Sequence, residues 1–210
     1  MPVSIRKPRN RYHHGDLRRA LVTATLQILE DHGPEGFTLR EAARRAGVEH
    51  HSAYRHFADS AAILAAAATA GYAELRDAVA GTLDGMLDDD PDAVERLLAI
   101  AREYVAFAVR RPALYRLMTG PRLNESARFE ELEEVIGQAY ARVQAEITSG
   151  IAARQLDRDL DVVEATLTLW AALHGLASLV VMRRIKVRRD QLAAFTNRVV
   201  GHTIRGFTRG

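Results

Sequence analysis

The segment GVEHHSAYRHFADS, residues 47–60, gathers side chains that could bind a metal ion, transfer protons or contact a charged partner. It holds three histidines, two aromatic residues and one arginine. Histidines that share a metal ion from one helix usually lie three or four residues apart, with a carboxylate nearby. His50 and His51 are adjacent and project about 100° apart on a helix, and His56 follows five residues after His51. The spacing therefore disfavours a metal site, and we predict none.

Catalytic chemistry is no better supported by this segment. It places no nucleophile or pair of acids beside a base, and the whole chain contains no cysteine. No phosphate-binding loop occurs elsewhere in the sequence, so we predict a protein that is not an enzyme and that needs no cofactor. Two interpretations of the segment remain, a surface that contacts a charged partner and an ordinary solvated helix surface.

Charge is unevenly distributed along the chain. The net charge is only +2, yet residues 1–58 carry ten Lys and Arg against six Asp and Glu, with six of the eight histidines. The remaining residues carry 19 basic and 21 acidic side chains. A basic end on a near-neutral body favours a polyanionic partner, although a solvated surface would give the same pattern.

The beginning of the chain, MPVSIRKPRNRYHHGD, is basic but lacks the apolar stretch of a secretory signal. The absence of cysteine fits a reducing compartment. We therefore predict a cytoplasmic protein.

Almost every segment has the apolar spacing of a helix, and Val, Ile and Thr never form the alternating short runs that strands require. The sequence therefore predicts an all-α fold. Asp16 is the expected N-cap of the first helix, and Gly33 is expected to follow its last turn. The predicted helices span 16–31, 39–46, 49–57, 61–87, 92–109, 113–118, 127–153, 161–184 and 190–207.

Two of these helices are short and are joined by a turn that contains Gly47. Thr38 and Glu41 have the spacing of a capping box at the start of the first short helix. A short bracing helix followed by a second helix that enters the major groove is typical of a helix-turn-helix unit. Val48, Ala53 and Phe57 are expected to face inward. The outward residues can all donate hydrogen bonds to phosphates or base edges: His50, His51, Ser52, Tyr54, Arg55 and His56.

Residues 13–64 closely resemble the N-terminal DNA-binding domain of the TetR family of bacterial transcriptional regulators. The ordered match is FTLREAARRAGV, followed after five residues by YRHF. The resemblance implies a basic arm over 1–15, a DNA-binding domain over 16–60 and a helical ligand-binding and dimerisation domain over 61–210. It implies double-stranded DNA as the partner, with contacts from Thr38, Arg40, Arg44, His50, His51, Ser52, Tyr54, Arg55 and His56.

Within that set the resemblance implies different roles. Thr38 and Tyr54, with His56, would contact the DNA backbone, whereas the variable outward positions of the second short helix would contact bases. Glu49 and Ser60 depart from the pattern, since most relatives have Ser and Lys there. Glu49 would then either accept from a cytosine amine or cap the helix, and the basic arm would replace the phosphate contact of the missing Lys.

The stretch LWAALHGLASLV resembles the W-x-x-x-H-G stretch of a TetR C-terminal subclass. The resemblance implies a homodimer formed by the last two long helices, 161–184 and 190–207, and an unidentified small-molecule effector. The candidate ligand-binding residues are Tyr104, Phe107, Tyr115, Leu117, Met118, Trp170 and His174. Each of them would equally suit a packed core, with Trp170 buried and His174 hydrogen-bonded.

Residues 165–182 carry no formal charge and are followed by five basic residues before position 190, which meets the lower length limit for a membrane span. Their hydroxyl groups, His174 and many alanines favour a helix buried in protein instead.

From the resemblance we predict a regulator of transcription, with repression as its mode, that binds a palindromic operator and responds to a small molecule, with no membrane partner. The alternatives are a membrane-attached helical sensor and a DNA-architectural protein that has no ligand.

Overall fold

The computed structural model describes residues 14–33, 37–86, 91–120, 123 and 128–208. The chain divides into two compact units, residues 1–64 and 65–210. The described part of the chain is helical and contains no strand, so the all-α prediction is confirmed. The helices are α1 (His14–His32), α2 (Leu39–Arg45), α3 (His50–Tyr54), α4 (Ser60–Asp84), α5 (Ala93–Arg110), α6 (Pro112–Thr119), α7 (Glu130–Ala152), α8 (Val162–Val181) and α9 (Leu192–Arg205).

The start of α1 differs from the expectation. Asp16 lies inside the helix, which already includes His14 and Gly15, so the predicted N-cap at Asp16 is wrong. An interior Gly costs a helix only about 1 kcal/mol relative to Ala, which the rest of α1 offsets. The remaining positions of the predicted arm, residues 1–13, lie outside the described residues.

The first unit is a small core formed by α1, α2 and α3. Leu21 and Ile28 of α1 are buried, as are Leu39 of α2 and Ala53 of α3. Phe57, just beyond α3, is 4% exposed. Burial of one such aromatic side chain contributes about 1.5–3 kcal/mol. The predicted inward positions Ala53 and Phe57 are therefore confirmed, and α3 packs against α2.

The turn between α2 and α3 depends on one glycine. Gly47 has φ of +70°, a left-handed conformation that other residues adopt only with strain. The following residue closes the turn, because Val48 N donates to Ala43 O at 3.0 Å. The turn sets the direction in which α3 leaves α2.

The core of the second unit is built around α5. This helix packs against α6, α7, α8 and α9, and its buried residues include Leu97, Ala101, Val105 and Phe107. A capping box at Asp92 and Glu95 satisfies the first backbone donors of α5, and Pro112 begins α6 after α5 ends.

α7 and α5 are joined by charge as well as by apolar contact. Glu146 of α7 is 8% exposed and bonds both Arg96 Nε at 2.8 Å and Arg142 Nη2 at 2.9 Å. At Gly150 an added Cβ would lie 2.6 Å from Ala93 Cβ, so only glycine permits this approach of α7 to the start of α5.

α8 is the one described helix that is long and apolar enough, by length and composition, to cross a membrane. A third of its most apolar window is buried inside the protein, on the side that faces α5 and α9. The opposite side exposes large apolar residues, namely Val163, Leu167, Trp170 and Leu179, with Met182 just after the helix. Its hydropathy thus reflects one buried side and one exposed apolar side.

Thr196 of α9 offers a test of this packing. Its side chain is fully buried, and Oγ1 has no hydrogen-bond partner among the described residues. A buried hydroxyl without a partner costs free energy, so Thr196→Val should raise the free energy of unfolding of the second unit by up to about 1 kcal/mol. Denaturant unfolding followed by the fluorescence of Trp170, the single tryptophan of the chain, measures this change.

The matched control is Thr166→Val in α8. Thr166 is equally buried, but its hydroxyl donates to Val162 O at 2.7 Å. Removal of this bond should lower the free energy of unfolding by about 1 kcal/mol. Equal losses in both variants would contradict the contrast between the two hydroxyls.

Candidate nucleic-acid interface and ligand cavity

The start of α2 is fixed by Thr38. Its Oγ1 accepts a hydrogen bond from Glu41 N at 3.2 Å, which is the cap that the sequence predicts. The other half of the predicted capping box is not formed, because Glu41 pairs with Arg44 at 2.6 and 2.8 Å instead. Thr38 remains exposed beside the first backbone N–H groups of α2, where an anion is favoured.

α3 is shorter than predicted. It ends at Tyr54, with Arg55 as its C-cap, whereas the sequence predicts a helix to residue 57. Phe57 is drawn into the core, and its N–H still bonds Ala53 O at 3.0 Å. Glu49 is the N-cap residue but makes no side-chain cap bond, so its carboxylate is not used for capping.

The side chains that α3 leaves outward are polar. Tyr54 is 53% exposed, and His50 and His51 are exposed with ring centroids 3.9 Å apart. Arg55 Nη2 donates to Ser52 Oγ at 3.0 Å, which orients the guanidinium along α3. His56 is half-buried.

The arginines of α2 are in different states. Arg40 is exposed and has no partner among the described residues. Arg44 holds Glu41 in a bidentate pair, which lowers the pKa of Glu41 and raises that of Arg44. Arg45 bonds Asp31 of α1 at 2.5 Å. An exposed pair such as Arg44 with Glu41 contributes little to stability, so Arg44 can exchange Glu41 for another anion at low cost.

All nine residues assigned to DNA by the sequence thus lie in one unit, between Thr38 and His56. Seven of them are exposed, and Ser52 and His56 are half-buried. The described residues contain no cluster of three or more His, Cys, Asp or Glu side chains that could hold a metal ion. The arrangement offers hydroxyl, imidazole and guanidinium donors on one edge of a two-helix unit, which suits phosphates and base edges.

The second unit contains a cavity of about 310 Å³ between α4, α5, α7 and α8. Most of its lining is aliphatic or aromatic, and its polar groups include four hydroxyls, three of them on tyrosines, and three charged side chains. The lining residues are Tyr72, Leu75, Arg76, Val79, Ile100, Tyr104, Glu133, Ile136, Ala139, Tyr140, Arg142, Val143, Thr166, Leu169, Trp170 and Leu173. Apolar walls with a few polar groups are typical of small-molecule sites.

Two of the seven predicted ligand residues, Tyr104 and Trp170, line this cavity. The structure places the other five outside the lining. Four of those are buried in the core, Phe107 at 1%, Tyr115 at 3%, Leu117 at 6% and Met118 at 3% exposure.

His174, the fifth of these, lies beside the cavity and is tied to Tyr115. Its Nδ1 is 3.1 Å from Tyr115 Oη, which also lies 3.2 Å from His174 O and 3.1 Å from Ser178 Oγ. The imidazole stacks on Trp170 with ring centroids 5.3 Å apart. Burial lowers the pKa of His174 from its ordinary value of 6.5, so the neutral ring is favoured.

Two tyrosines of the lining were missed by the sequence reasoning. Tyr72 of α4 donates to Met118 O at 3.2 Å, and Tyr140 of α7 lies 5.8 Å from Trp170 between ring centroids. A sequence signal did exist, because Ile136, Tyr140 and Val143 recur at helical spacing on α7. That signal identifies a shared helix face but not whether the face meets a core or a cavity.

The tyrosines inside the cavity are neutral. Burial raises the pKa of Tyr72 and Tyr104 well above the ordinary value of 10.0. The charged groups of the lining differ in their partners. Arg76 bonds Asp77 and Gln138, and Arg142 bonds Glu146. Glu133 makes no hydrogen bond or ion pair with a described residue.

Two family models match the chain. Residues 21–67 match the model of bacterial regulatory proteins of the tetR family. Residues 97–202 match the model of the tetracyclin repressor-like C-terminal domain, which covers half of the chain and contains α8. The apolar helix α8 therefore lies within the matched C-terminal domain.

Curated relatives include the nucleoid occlusion factor SlmA of Photobacterium profundum. It is 29% identical over 143 residues, which cover 66% of this chain and 68% of the relative. SlmA of Sodalis glossinidius is 27% identical over 181 residues, covering 83% and 87% of the two chains.

Solved structures share the fold along nearly the whole chain. A protein of unknown function from Rhodococcus sp. RHA1 is 28% identical with a TM-score of 0.80, covering 96% of this chain and all of that one. The regulator FadR from Bacillus subtilis, in complex with stearoyl-CoA, is 18% identical with a TM-score of 0.71, covering 90% and 98%. The family models, the helix-turn-helix unit and the helical second unit together show that the chain belongs to the TetR family of bacterial transcriptional regulators.

Proposed function

We propose that this regulator is a cytoplasmic repressor that binds a palindromic operator as a homodimer and is released by a small molecule in the cavity of its second unit. The observation that carries the proposal is the polar edge of α2 and α3, where donors project from a two-helix unit held by buried Ala53 and Phe57. A membrane-attached sensor is not favoured, because α8 belongs to the matched C-terminal domain.

On DNA, Thr38 and Tyr54 would bond phosphates and set the register of the unit, with His56 beside them. His50, His51 and Ser52 would reach base edges in the major groove, and Arg55 would do the same. Arg40 and Arg44 would contact the backbone or a base. The carboxylate of Glu49 makes no cap bond, and at the start of α3 it would accept a hydrogen bond from a cytosine amine.

The homodimer is proposed to form through α8 and α9. The exposed side of α8 carries Leu167, Leu179 and neighbouring apolar residues, and α9 adds the exposed Val199. Apolar area of this kind is typical of a covered interface. Two subunits would place two recognition helices about 34 Å apart, one turn of DNA, on a near-palindromic site.

The effector is proposed to bind in the cavity rather than at His174. Tyr104, Trp170, Tyr72 and Tyr140 surround an apolar space of suitable size. The contacts of His174 with Tyr115 and Trp170 fit a packing role, since its ring nitrogen is already beside a partner. A ligand changes DNA affinity only if it binds one of two conformations more tightly. Since α4 begins in the first unit and later lines the cavity, we propose that it carries this effect.

DNA recognition is tested by selection of bound duplexes from a random pool, with and without cell metabolites. Tyr54→Ala should weaken binding to all selected duplexes alike, because a phosphate contact carries no sequence information. His50→Ala and Ser52→Ala should each change the preferred base at one or two positions, at a cost of about 1–3 kcal/mol for the original base.

The matched control is His32→Ala, which removes an exposed histidine of the same unit outside the proposed interface. It should leave both affinity and base preference unchanged. If no duplex is enriched at low salt, the DNA-binding proposal is wrong. If duplexes are enriched with little sequence preference and no metabolite effect, the protein is architectural.

The dimer interface is tested at Gly175 of α8. An added Cβ at Gly175 meets nothing within 4 Å in the monomer. Gly175→Leu should therefore leave the monomer folded but should raise the dimer dissociation constant at least about tenfold, roughly 1.4 kcal/mol, by holding two copies of α8 apart. Sedimentation over a dilution series measures the constant.

Gly137→Leu on α7 is the control, because a Cβ there also meets nothing and the position lies outside the proposed interface. Both variants replace a helical glycine and gain similar helix propensity. Equal dimer strength in both variants would contradict an interface on α8.

The packing role of His174 predicts a pH dependence. Because burial lowers its pKa below 6.5, its contribution to stability is fully present above pH 6.5 and is lost as the pH falls through the lowered pKa. His174→Gln should flatten the fall of stability in that window. NMR titration of the imidazole, assigned by its absence in the variant, should give a midpoint below 6.5. A midpoint at or above 6.5 would refute the burial argument.

A further inference from the structure

The charged groups around the cavity are not equivalent. Arg76 bonds Asp77 Oδ1 at 2.9 Å through Nη2 and Gln138 Oε1 at 3.2 Å through Nη1. Arg142 bonds Glu146 Oε1 at 2.9 Å. Both guanidinium groups therefore already contact a carboxylate of the protein, and the carboxylate of Glu146 is shared between Arg142 and Arg96. Glu133 is the charged residue of the lining that has no ion pair or hydrogen bond among the described residues.

The cavity is also rich in aromatic rings. Tyr72, Tyr104, Tyr140 and Trp170 contribute to its wall, and Tyr140 and Trp170 lie 5.8 Å apart at an interplanar angle of 48°. The face of an aromatic ring carries negative potential and attracts a cation that lies within about 6 Å of its centre. The hydroxyl of Tyr72 is turned to Met118 O and is not offered to a ligand as a donor.

We propose that the cavity binds an organic cation, an ammonium group on an apolar body, with the charge placed between the aromatic rings and the carboxylate of Glu133. This inference rests on the proposed role of the cavity as the effector site. A ligand carboxylate fits less well. It would share its arginine with the carboxylate of Asp77 or Glu146, and it would lie in the same cavity as the unpaired Glu133, where like charges repel.

Three compounds of nearly the same shape separate charge from shape. Benzyltrimethylammonium is the cation, neopentylbenzene is its uncharged carbon counterpart, and phenylmethanesulfonate is an anion of similar size. All are small enough for a cavity of 310 Å³. Trp170 lines the cavity and is the single tryptophan of the chain, so its emission reports occupancy of the site directly. Titration calorimetry on the full-length protein gives the affinities independently.

The cation should bind at least about fivefold more tightly than the uncharged compound, and the anion most weakly. Glu133→Gln should lower the affinity for the cation at least about threefold and leave the affinity for neopentylbenzene unchanged or higher. Tyr140→Leu should lower cation affinity, and Tyr140→Phe, which keeps the ring, should retain it.

The matched control is Glu130→Gln, which removes an exposed carboxylate from the same first turn of α7 outside the cavity lining. It should leave all three affinities unchanged. Since Glu133 and Glu130 are both exposed, neither change removes a buried contact.

The outcomes distinguish this inference from the proposed function. If the uncharged compound or the anion binds as tightly as the cation, or if Glu133→Gln has no effect on the cation, the inference of a cation is wrong and the cavity remains a ligand site. If none of the three compounds binds up to millimolar concentration, both the cation and the cavity as effector site are overturned. Binding of the cation in the expected order without any change in operator affinity supports the inference and removes the regulatory role.

Discussion

The proposed DNA interface depends on the burial of two side chains, Ala53 and Phe57, in the core of the first unit. α3 has only five residues, and an isolated helix of that length is not stable in water, because nucleation costs more than so few backbone bonds return. Its conformation is therefore imposed by the core of the first unit. Every outward donor of α3 takes its direction from that packing and from the left-handed turn at Gly47.

The second unit encloses an apolar space while charged side chains lie close to it. Glu146 is buried between Arg96 and Arg142, and Asp77 holds Arg76. These contacts place a carboxylate beside each of the two cavity arginines, Arg76 and Arg142, and most of the other lining residues are apolar or aromatic. The helix α5 supplies the rigid support, since it packs against four other helices.

The sequence was sufficient for the features that depend on local chemistry. Most of the helices, the cap at Thr38 and the turn at Gly47 follow from residues a few positions apart, and a family model confirms the resemblance. The sequence was insufficient where a feature depends on contacts between helices that are distant in the sequence. Phe57 shortens α3 because its ring is buried in the core of the first unit. One local outcome was also not predicted, since Glu41 pairs with Arg44 of the same helix rather than completing a capping box.

The cavity shows the same limit. Tyr104 and Tyr115 lie on neighbouring helices with ring centroids 6.1 Å apart, yet Tyr104 lines the cavity and Tyr115 fills the core beside it. Residue type and spacing are alike for both positions. The difference arises from where α8 passes, and no periodicity along one helix contains that information.

Trp170 belongs to two surfaces at once. It lines the cavity, and it is also 40% exposed on the side of α8 that carries the unpaired apolar residues. Any molecule that covers this side of α8, a second subunit included, would restrict the indole that forms part of the cavity wall. If association at this side of α8 changes the affinity of the cavity for a ligand by some factor, occupancy of the cavity changes the affinity of that association by the same factor. The affinity for an effector would then vary with protein concentration, and a cell could tune its response through the abundance of the regulator alone.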